Sequence, residues 1–264
     1  MIPRVLVIGD FMEDRWFIGT SNRMAVEAPV PVVVLKERQD TPGGAGNVKL
    51  NLIALGAEVE SMYGLISIKN RLCIGDKVIA RWDESDYGPP IAPMRLERVN
   101  WTLLNAVVIS DYGKGAVTQR LIDRLAVLTD QFGLPVFVDT RRSPDDFPID
   151  WTFFPNEAEY CQRPRVWISQ AAVVHKRGAE GIRYEAFGRI LEEYPAWAKS
   201  AVCVAGAGDT VLAGYVYATC VGWRPLAFAN ACAAVAVSKP WTSTVTVSEA
   251  LDVLRTNSSR GVQL

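Results

Sequence analysis

The sequence predicts a three-layer α/β/α fold on a mostly parallel central sheet, with a small β-sheet set apart as a lid. Three observations carry that expectation. Continuous apolar runs recur at 5–8, 106–109, 136–138 and 171–174, the pattern of strands buried on both faces. Helical stretches stand between several of them. Strand ends carry an acid or amide, at Asp10, Asp111, Asp139 and Asn156. In an open parallel sheet, such ends gather polar groups from distant stretches into one cleft.

The first run, 5–8, stops at Gly9-Asp10 and reads as a strand rather than a secretory leader. Stretch 29–35 is β-branched but holds Pro29 and Pro31, which exclude a central strand and point to a sheet edge. Pro42-Gly43-Gly44-Ala45-Gly46-Asn47 reads as a loop, and 48–55 as a helix stopped by Gly56. Residues 69–83 alternate loosely around Gly75-Asp76, a hairpin signal. These stretches place the lid at about 15–40 and 66–84, inside one domain spanning 1–264. Stretch 86–93, with three prolines, leads back to the main domain. Beyond it, 118–132 is an amphipathic helix closed by Gly133, 153–156 a short strand, and 227–237 and 247–254 two further helices.

Composition narrows the function. With 49% apolar and 22% charged residues, 264 residues suffice for one large soluble α/β domain. A formal net charge of -1 argues against a general nucleic-acid binder. No apolar run is long enough to span a bilayer. The five cysteines form no CxxC pair, which with no leader suggests a reduced, cytoplasmic protein. The single histidine, His175, leaves no room for a His-rich metal site or a Ser-His-Asp triad and reads as a strand-end residue.

The most informative stretch is Ala205-Gly206-Ala207-Gly208-Asp209-Thr210, followed by the apolar run 211–221. Unpaired N–H groups at a helix start, with glycines that permit close approach, make an anion cradle. Asp209 would repel a phosphate there, unless its task is to take a proton from the attacking nucleophile. Its alternative role is a simple N-cap. Asp10 and Asp14 beside the first strand, with Gly43-Gly44-Ala45-Gly46-Asn47, offer groups suited to sugar hydroxyls; an Asx-turn is the plainer role for Asp10. Ser110-Asp111-Tyr112-Gly113-Lys114-Gly115 is a second polar turn. Asn156 and Glu159 lie three apart on one helical face, with Glu157 pointing elsewhere. Lys176-Arg177-Gly178-Ala179-Glu180-Gly181 suits a nucleotide or, equally, a β-hairpin.

In this order, and over nearly the whole chain, these motifs resemble the ribokinase-like (PfkB-type) carbohydrate kinases, and among them the kinase domains acting on D-glycero-β-D-manno-heptose 7-phosphate. Gly9-Asp10-Phe11-Met12-Glu13-Asp14, Glu27-Ala28-Pro29-Val30-Pro31-Val32 and Thr242-Ser243-Thr244-Val245 complete the match. The resemblance implies an ATP- and Mg²⁺-dependent phosphotransferase. It implies Asp209 as the base, Gly206, Ala207 and Gly208 as the anion hole, and Asn156 and Glu159 around Mg²⁺. Asp14, Gly43, Gly44, Asn47 and Asp111 fall to the sugar or sugar phosphate, and Arg141 to a phosphate of donor or substrate. Lys176, Gly178, Gly181 and Asn230 fall to the nucleotide. Relatives often pair their lids, which implies a homodimer.

The chain departs from the family where D-x-T precedes the cradle: Cys203 and Ala205 stand there, which puts K⁺ activation in doubt. It is also short after Gly64 and after Glu159. Two other readings stay open: a kinase for another sugar or a nucleoside, whose base Trp16, Phe17 or Trp82 would stack, and a binding protein without turnover. A dinucleotide-binding reading is weaker, since the cradle lies late and lacks the third glycine.

Overall fold

The computed structural model describes residues 2–75, 77–85 and 87–258; Asp76 and Asp86, in the expected hairpin turn and connector, lie outside the described residues. In chain order the strands and helices are β1 (Arg4–Gly9), β2 (Phe11–Met24), β3 (Pro31–Gly44), α1 (Ala45–Ala54), β4 (Glu58–Tyr63), β5 (Ser67–Ile74), β6 (Lys77–Glu84) and β7 (Ala106–Asp111). Then follow α2 (Gln119–Phe132), β8 (Val136–Thr140), β9 (Thr152–Phe153), α3 (Glu157–Gln162), α4 (Pro164–Ile168), β10 (Ala172–Lys176), β11 (Ile182–Ala186), β12 (Arg189–Tyr194), α5 (Ala207–Val221), α6 (Pro225–Val237) and α7 (Val247–Ser258).

Alternation within the buried strands sets the layers. Val5 and Val7 of β1 pack with Val108 and Phe137 against α1, α5, α6 and α7. Their neighbours Leu6 and Ile8 pack with Val107, Ile109 and Val138 against α2 and Trp167 of α4. One sheet therefore carries an apolar core on each face. Its order is β12-β11-β10-β9-β8-β7-β1-β4. Pairing is parallel from β4 to β10 and antiparallel across β10-β11-β12. Helix α2 has the expected punctuation: Thr118 caps its start and Gly133, left-handed at φ 62°, closes it.

The second sheet has the order β3-β2-β5-β6. Strand β3, which opens at Pro31, is an edge, and β5 and β6 form an antiparallel hairpin. The sheet reaches beyond the expected stretches, because β2 starts at Phe11 with only Asp10 separating it from β1. Asp14, placed beside the first strand with Asp10, thus lies within β2 itself. The 42–47 loop is also shorter than expected: β3 runs to Gly44 and α1 starts at Ala45. Strands β4, β11 and β12 lack a continuous apolar run: β4 and β12, at the two sheet borders, mix exposed charge with partial burial, and β11 sets buried Ile182 and Glu185 among half-buried side chains. Among the described residues, no helix is long and apolar enough to cross a membrane.

Candidate active site

Helix α5 begins at the carboxyl ends of the parallel strands with Gly206 at φ 76° as its N-cap. A Cβ there would lie 2.3 Å from Thr242 Cγ2 and 2.5 Å from Asn47 Nδ2, so no other residue fits this left-handed, crowded position. Thr210 N–H makes the first helical bond, to Gly206 O at 3.0 Å, and Ala207 N–H donates to Val204 O. By their position in the first turn, the N–H groups of Gly208 and Asp209 have no intrahelical acceptor. These two, more than Ala207, are the outward donors of the cradle.

Asp209 is only 4% exposed. Asn47 Nδ2 donates to its Oδ2 at 2.9 Å, and the Tyr112 hydroxyl donates to its Oδ1 at 2.8 Å. Burial pushes its carboxyl up to about 6, and Asp139 adds to the rise, while the Asn47 and Tyr112 donors and the Lys176 charge oppose it. Asn51 fixes Asn47 in turn, donating to its Oδ1 at 3.0 Å.

Beside this carboxylate opens a cavity of about 620 Å³. It is lined by Gly206, Ala207, Gly208 and Asp209, by Asp111 and Arg141, by Asn156 and Glu159, and by Lys176, Gly178, Gly181 and Asn230. Sequence positions 111 to 230 thus converge on one space. Its far wall is apolar, from Ile182, Trp197, Val204, Ala233 and Val237. Lys176, at the end of β10, pairs with Asp139 at 2.5 Å, and its Nζ lies 3.3 Å from where a Cβ on Gly208 would stand. The 176–181 segment meets both sequence readings, being the turn of the antiparallel β10-β11 pair and a wall of the cavity.

Asn156 and Glu159 form a reciprocal capping box at the start of α3: Asn156 Oδ1 accepts from Glu159 N–H, and Glu159 Oε2 accepts from Asn156 N–H, both at 2.9 Å. Burial, with Asp139 nearby, raises the Glu159 carboxyl. Such hard oxygen donors beside a phosphate-sized cradle suit Mg²⁺, which keeps several waters and phosphate ligands. Among the described residues no group of three or more acidic, Cys or His side chains is placed to hold a metal ion. Cys203, where the resemblance implies an acid for K⁺, donates its N–H to Val237 O.

Of the proposed sugar ligands, only Asn47 touches the Asp209 carboxylate. Asp14 pairs with Arg71 at 2.6 Å against Gly43, at the root of the lid sheet, and Gly44 follows at the start of α1. Asp10 is engaged by the backbone: its carboxylate accepts from Tyr112, Lys114 and Ala116 N–H at 2.8, 2.9 and 3.2 Å. Asp111 lines the cavity, but its oxygens accept from Gly113 N–H and the Thr140 hydroxyl. Asn230 donates to Pro195 O and braces the wall. His175 faces away, stacked 3.9 Å from Tyr160 with Nε2 3.0 Å from Glu157. Sequence reasoning gave no role to Tyr112, Lys69 or Asn51; Tyr112 had a signal, its place in a polar turn after a buried strand.

Residues 154–249 match the pattern of the family described as pfkB family carbohydrate kinase. The chain is 31% identical to the bifunctional protein HldE of Granulibacter bethesdensis and 30% identical to that of Nitrosococcus oceani. The segment 154–249 thus carries the pattern of pfkB-family carbohydrate kinases. Those alignments cover 93% and 97% of the chain but 64% and 65% of the relatives, so it spans about two thirds of their length. Its fold is ribokinase-like. Arabidopsis thaliana ribokinase, solved with ribose and ATP, superposes with a TM-score of 0.71 at 16% identity, over 97% of this chain and 99% of that one. Escherichia coli phosphofructokinase-2, solved with potassium, gives 0.72 at 12% identity, over 97% and 99%.

Proposed function

We propose that this chain is an ATP- and Mg²⁺-dependent pfkB-family kinase that phosphorylates a hydroxyl of a small sugar phosphate. The observation that carries this reading is the buried Asp209 carboxylate one residue from the outward N–H of Gly208, with the Lys176 ammonium over the same point. A base and an anion hole then face one reacting atom. The acceptor hydroxyl gives its proton to Asp209, its oxygen bonds to the γ-phosphorus of ATP, and the bond to the β,γ-bridging oxygen breaks to release ADP. The Gly208 and Asp209 N–H groups and Lys176 hold the charge of the transferring group. Mg²⁺, held through Glu159 with Asn156 fixing the helix start, would neutralise the donor phosphates. The apolar wall at Trp197 suits the nucleoside base, with Gly178 and Gly181 beside it. The lid excludes water from the acceptor.

A phosphorylated acceptor is favoured by the charge above Tyr112. Lys69 of β5 and Arg141 approach its ring at 5.9 and 5.0 Å. Burial lowers the Lys69 ammonium, and the charges of Lys114, Arg81 and Arg141 add to the fall against the opposing pull of Asp14. Cations crowded in this way suit an anion. With the resemblance of the motifs, the best acceptor is a heptose 7-phosphate taken at its anomeric hydroxyl. The rings weighed for a nucleoside base pair with other aromatics, Trp16 with Trp241 at 4.9 Å and Phe17 with Trp82 at 5.4 Å, which gives the nucleoside alternative less support.

The test is ADP release from Mg·ATP across sugar phosphates, free sugars and nucleosides. Turnover is expected with a sugar phosphate, and Lys69→Met should lower its kcat/KM by about 10–100-fold, the worth of one charge-assisted hydrogen bond. No ADP release with any acceptor would overturn the kinase reading; equal loss for free sugars would overturn the phosphate subsite.

We also propose a homodimer through the lid sheet. Its edge strands expose Val34, Leu35, Val78 and Ile79, and open edges are normally covered. Light scattering at micromolar concentration should give a dimer mass; a monomer would overturn the pairing.

A further inference from the structure

We propose that Tyr112 is a positioning residue whose hydroxyl holds the acceptor's place on Asp209, so that the base does not activate water before the acceptor arrives. The inference rests on the phosphotransfer reading above and goes beyond it. Both oxygens of the buried carboxylate are engaged, Oδ2 by Asn47 and Oδ1 by Tyr112. The two donors differ in setting. Asn47 is buried in α1 and locked by Asn51. Tyr112 lies in the turn after β7, lines the cavity and reaches Asp209 only through its hydroxyl. Its backbone is pinned by Asp10 Oδ2 at 2.8 Å, and its ring lies under Lys69 of the lid and beside Arg141. Oδ1 is therefore the oxygen that an acceptor hydroxyl takes over, and the tyrosine donor is the one it replaces.

The chemistry gives this exchange a consequence. A carboxylate beside bound ATP can take a proton from water as readily as from a sugar. Water oxygen would then bond to the γ-phosphorus, the bond to the β,γ-bridging oxygen would break, and ADP and inorganic phosphate would form. While Tyr112 occupies Oδ1, water lacks that acceptor. The acceptor sugar, held by the lid, brings enough binding energy to displace the tyrosine, whereas a lone water does not. The other charges around Asp209 are Asp139 of β8 and Lys176 of β10, which pair with each other at 2.5 Å.

Tyr112→Phe removes the hydroxyl and keeps the ring between Lys69 and Arg141. ATP hydrolysis without any acceptor is expected to rise by about tenfold, the effect of freeing one hydrogen-bonded site on the base. Hydrolysis per transfer event should rise with it, and Asp209→Asn placed in the same chain should abolish the excess. A merely structural role would lower hydrolysis and transfer together; that outcome, in a variant melting like the parent, overturns the proposal. A mutation-free readout uses protein labelled with ¹³C at tyrosine Cζ. The resonance missing from Tyr112→Phe should move when the acceptor identified by turnover binds, and a stationary resonance overturns the displacement. Transfer by the parent with no excess hydrolysis in Tyr112→Phe sinks the tyrosine alone; no transfer by the parent with any acceptor sinks both readings.

Discussion

Asp209→Asn protein is expected to lose ATP-dependent transfer by about 10²–10⁴-fold, the range set by a general base, and to be more stable than its parent. The second half follows from burial. With the carboxyl raised from 3.8 to about 6, keeping it ionised at neutral pH costs on the order of 2–3 kcal/mol. The amide relieves that cost and keeps both contacts, since its oxygen accepts from Asn47 and its NH₂ donates to the Tyr112 oxygen. The sign is fixed by linkage. Between pH 3.8 and about 6 the folded protein holds this proton more tightly than the unfolded chain, so the Asp209 contribution to stability falls as pH rises through that window. Urea melts of parent and variant should therefore agree near pH 3.5 and separate by pH 7. Parent turnover should fall off below about pH 6 as the base takes up its proton. Full transfer by the variant would remove Asp209 from the role of base, and a variant less stable at pH 7 would contradict the burial cost.

Gly206→Ala is expected to damage fold and chemistry together. The left-handed backbone costs about 1–2 kcal/mol for any L side chain, and the methyl must also displace Thr242 and Asn47. Moving Asn47 releases Oδ2 of Asp209, and tilting the first turn of α5 misdirects the cradle. Loss of stability should reach about 2–4 kcal/mol, with turnover down by about 10²-fold. Gly222 supplies the control. It ends the same helix at φ 74° with nothing within 4 Å of where an added methyl would stand, so Gly222→Ala carries the backbone cost alone. If both alanine variants lose activity equally, helix strain rather than the cradle would explain the result. Denaturant melts with ADP release separate the two.

What sequence made legible follows from how each residue acts. The parallel strands announced themselves because residues such as Val5 to Ile8 are apolar on both faces, and α2 because Thr118 and Gly133 mark its ends. The glycine-capped start of α5 was legible because glycine, acid and apolar helix are contiguous. The partners of Asp10 were hidden because a carboxylate for hydroxyls and a carboxylate for backbone N–H groups look alike until the groups about a hundred positions on are placed beside it. Lys69 was silent, and the polar turn that signalled Tyr112 did not give its role, for the same reason: their meaning lies in Asp209 and in each other, across the fold. The lid's extent was hidden because β2 alternates half-buried residues of mixed chemistry, with no apolar stripe.

Asp10, the single residue between β1 and β2, has a mechanical consequence. Its N–H is bonded to Ser110 O, its carbonyl receives Ala45 N–H at the start of α1, and its carboxylate clasps the turn that carries Tyr112. Asp10 thus ties the root of β2, the start of α1 and the turn that carries the tyrosine into one joint, so any displacement of this residue reaches the small sheet, the helix and the height of the tyrosine over Asp209 together.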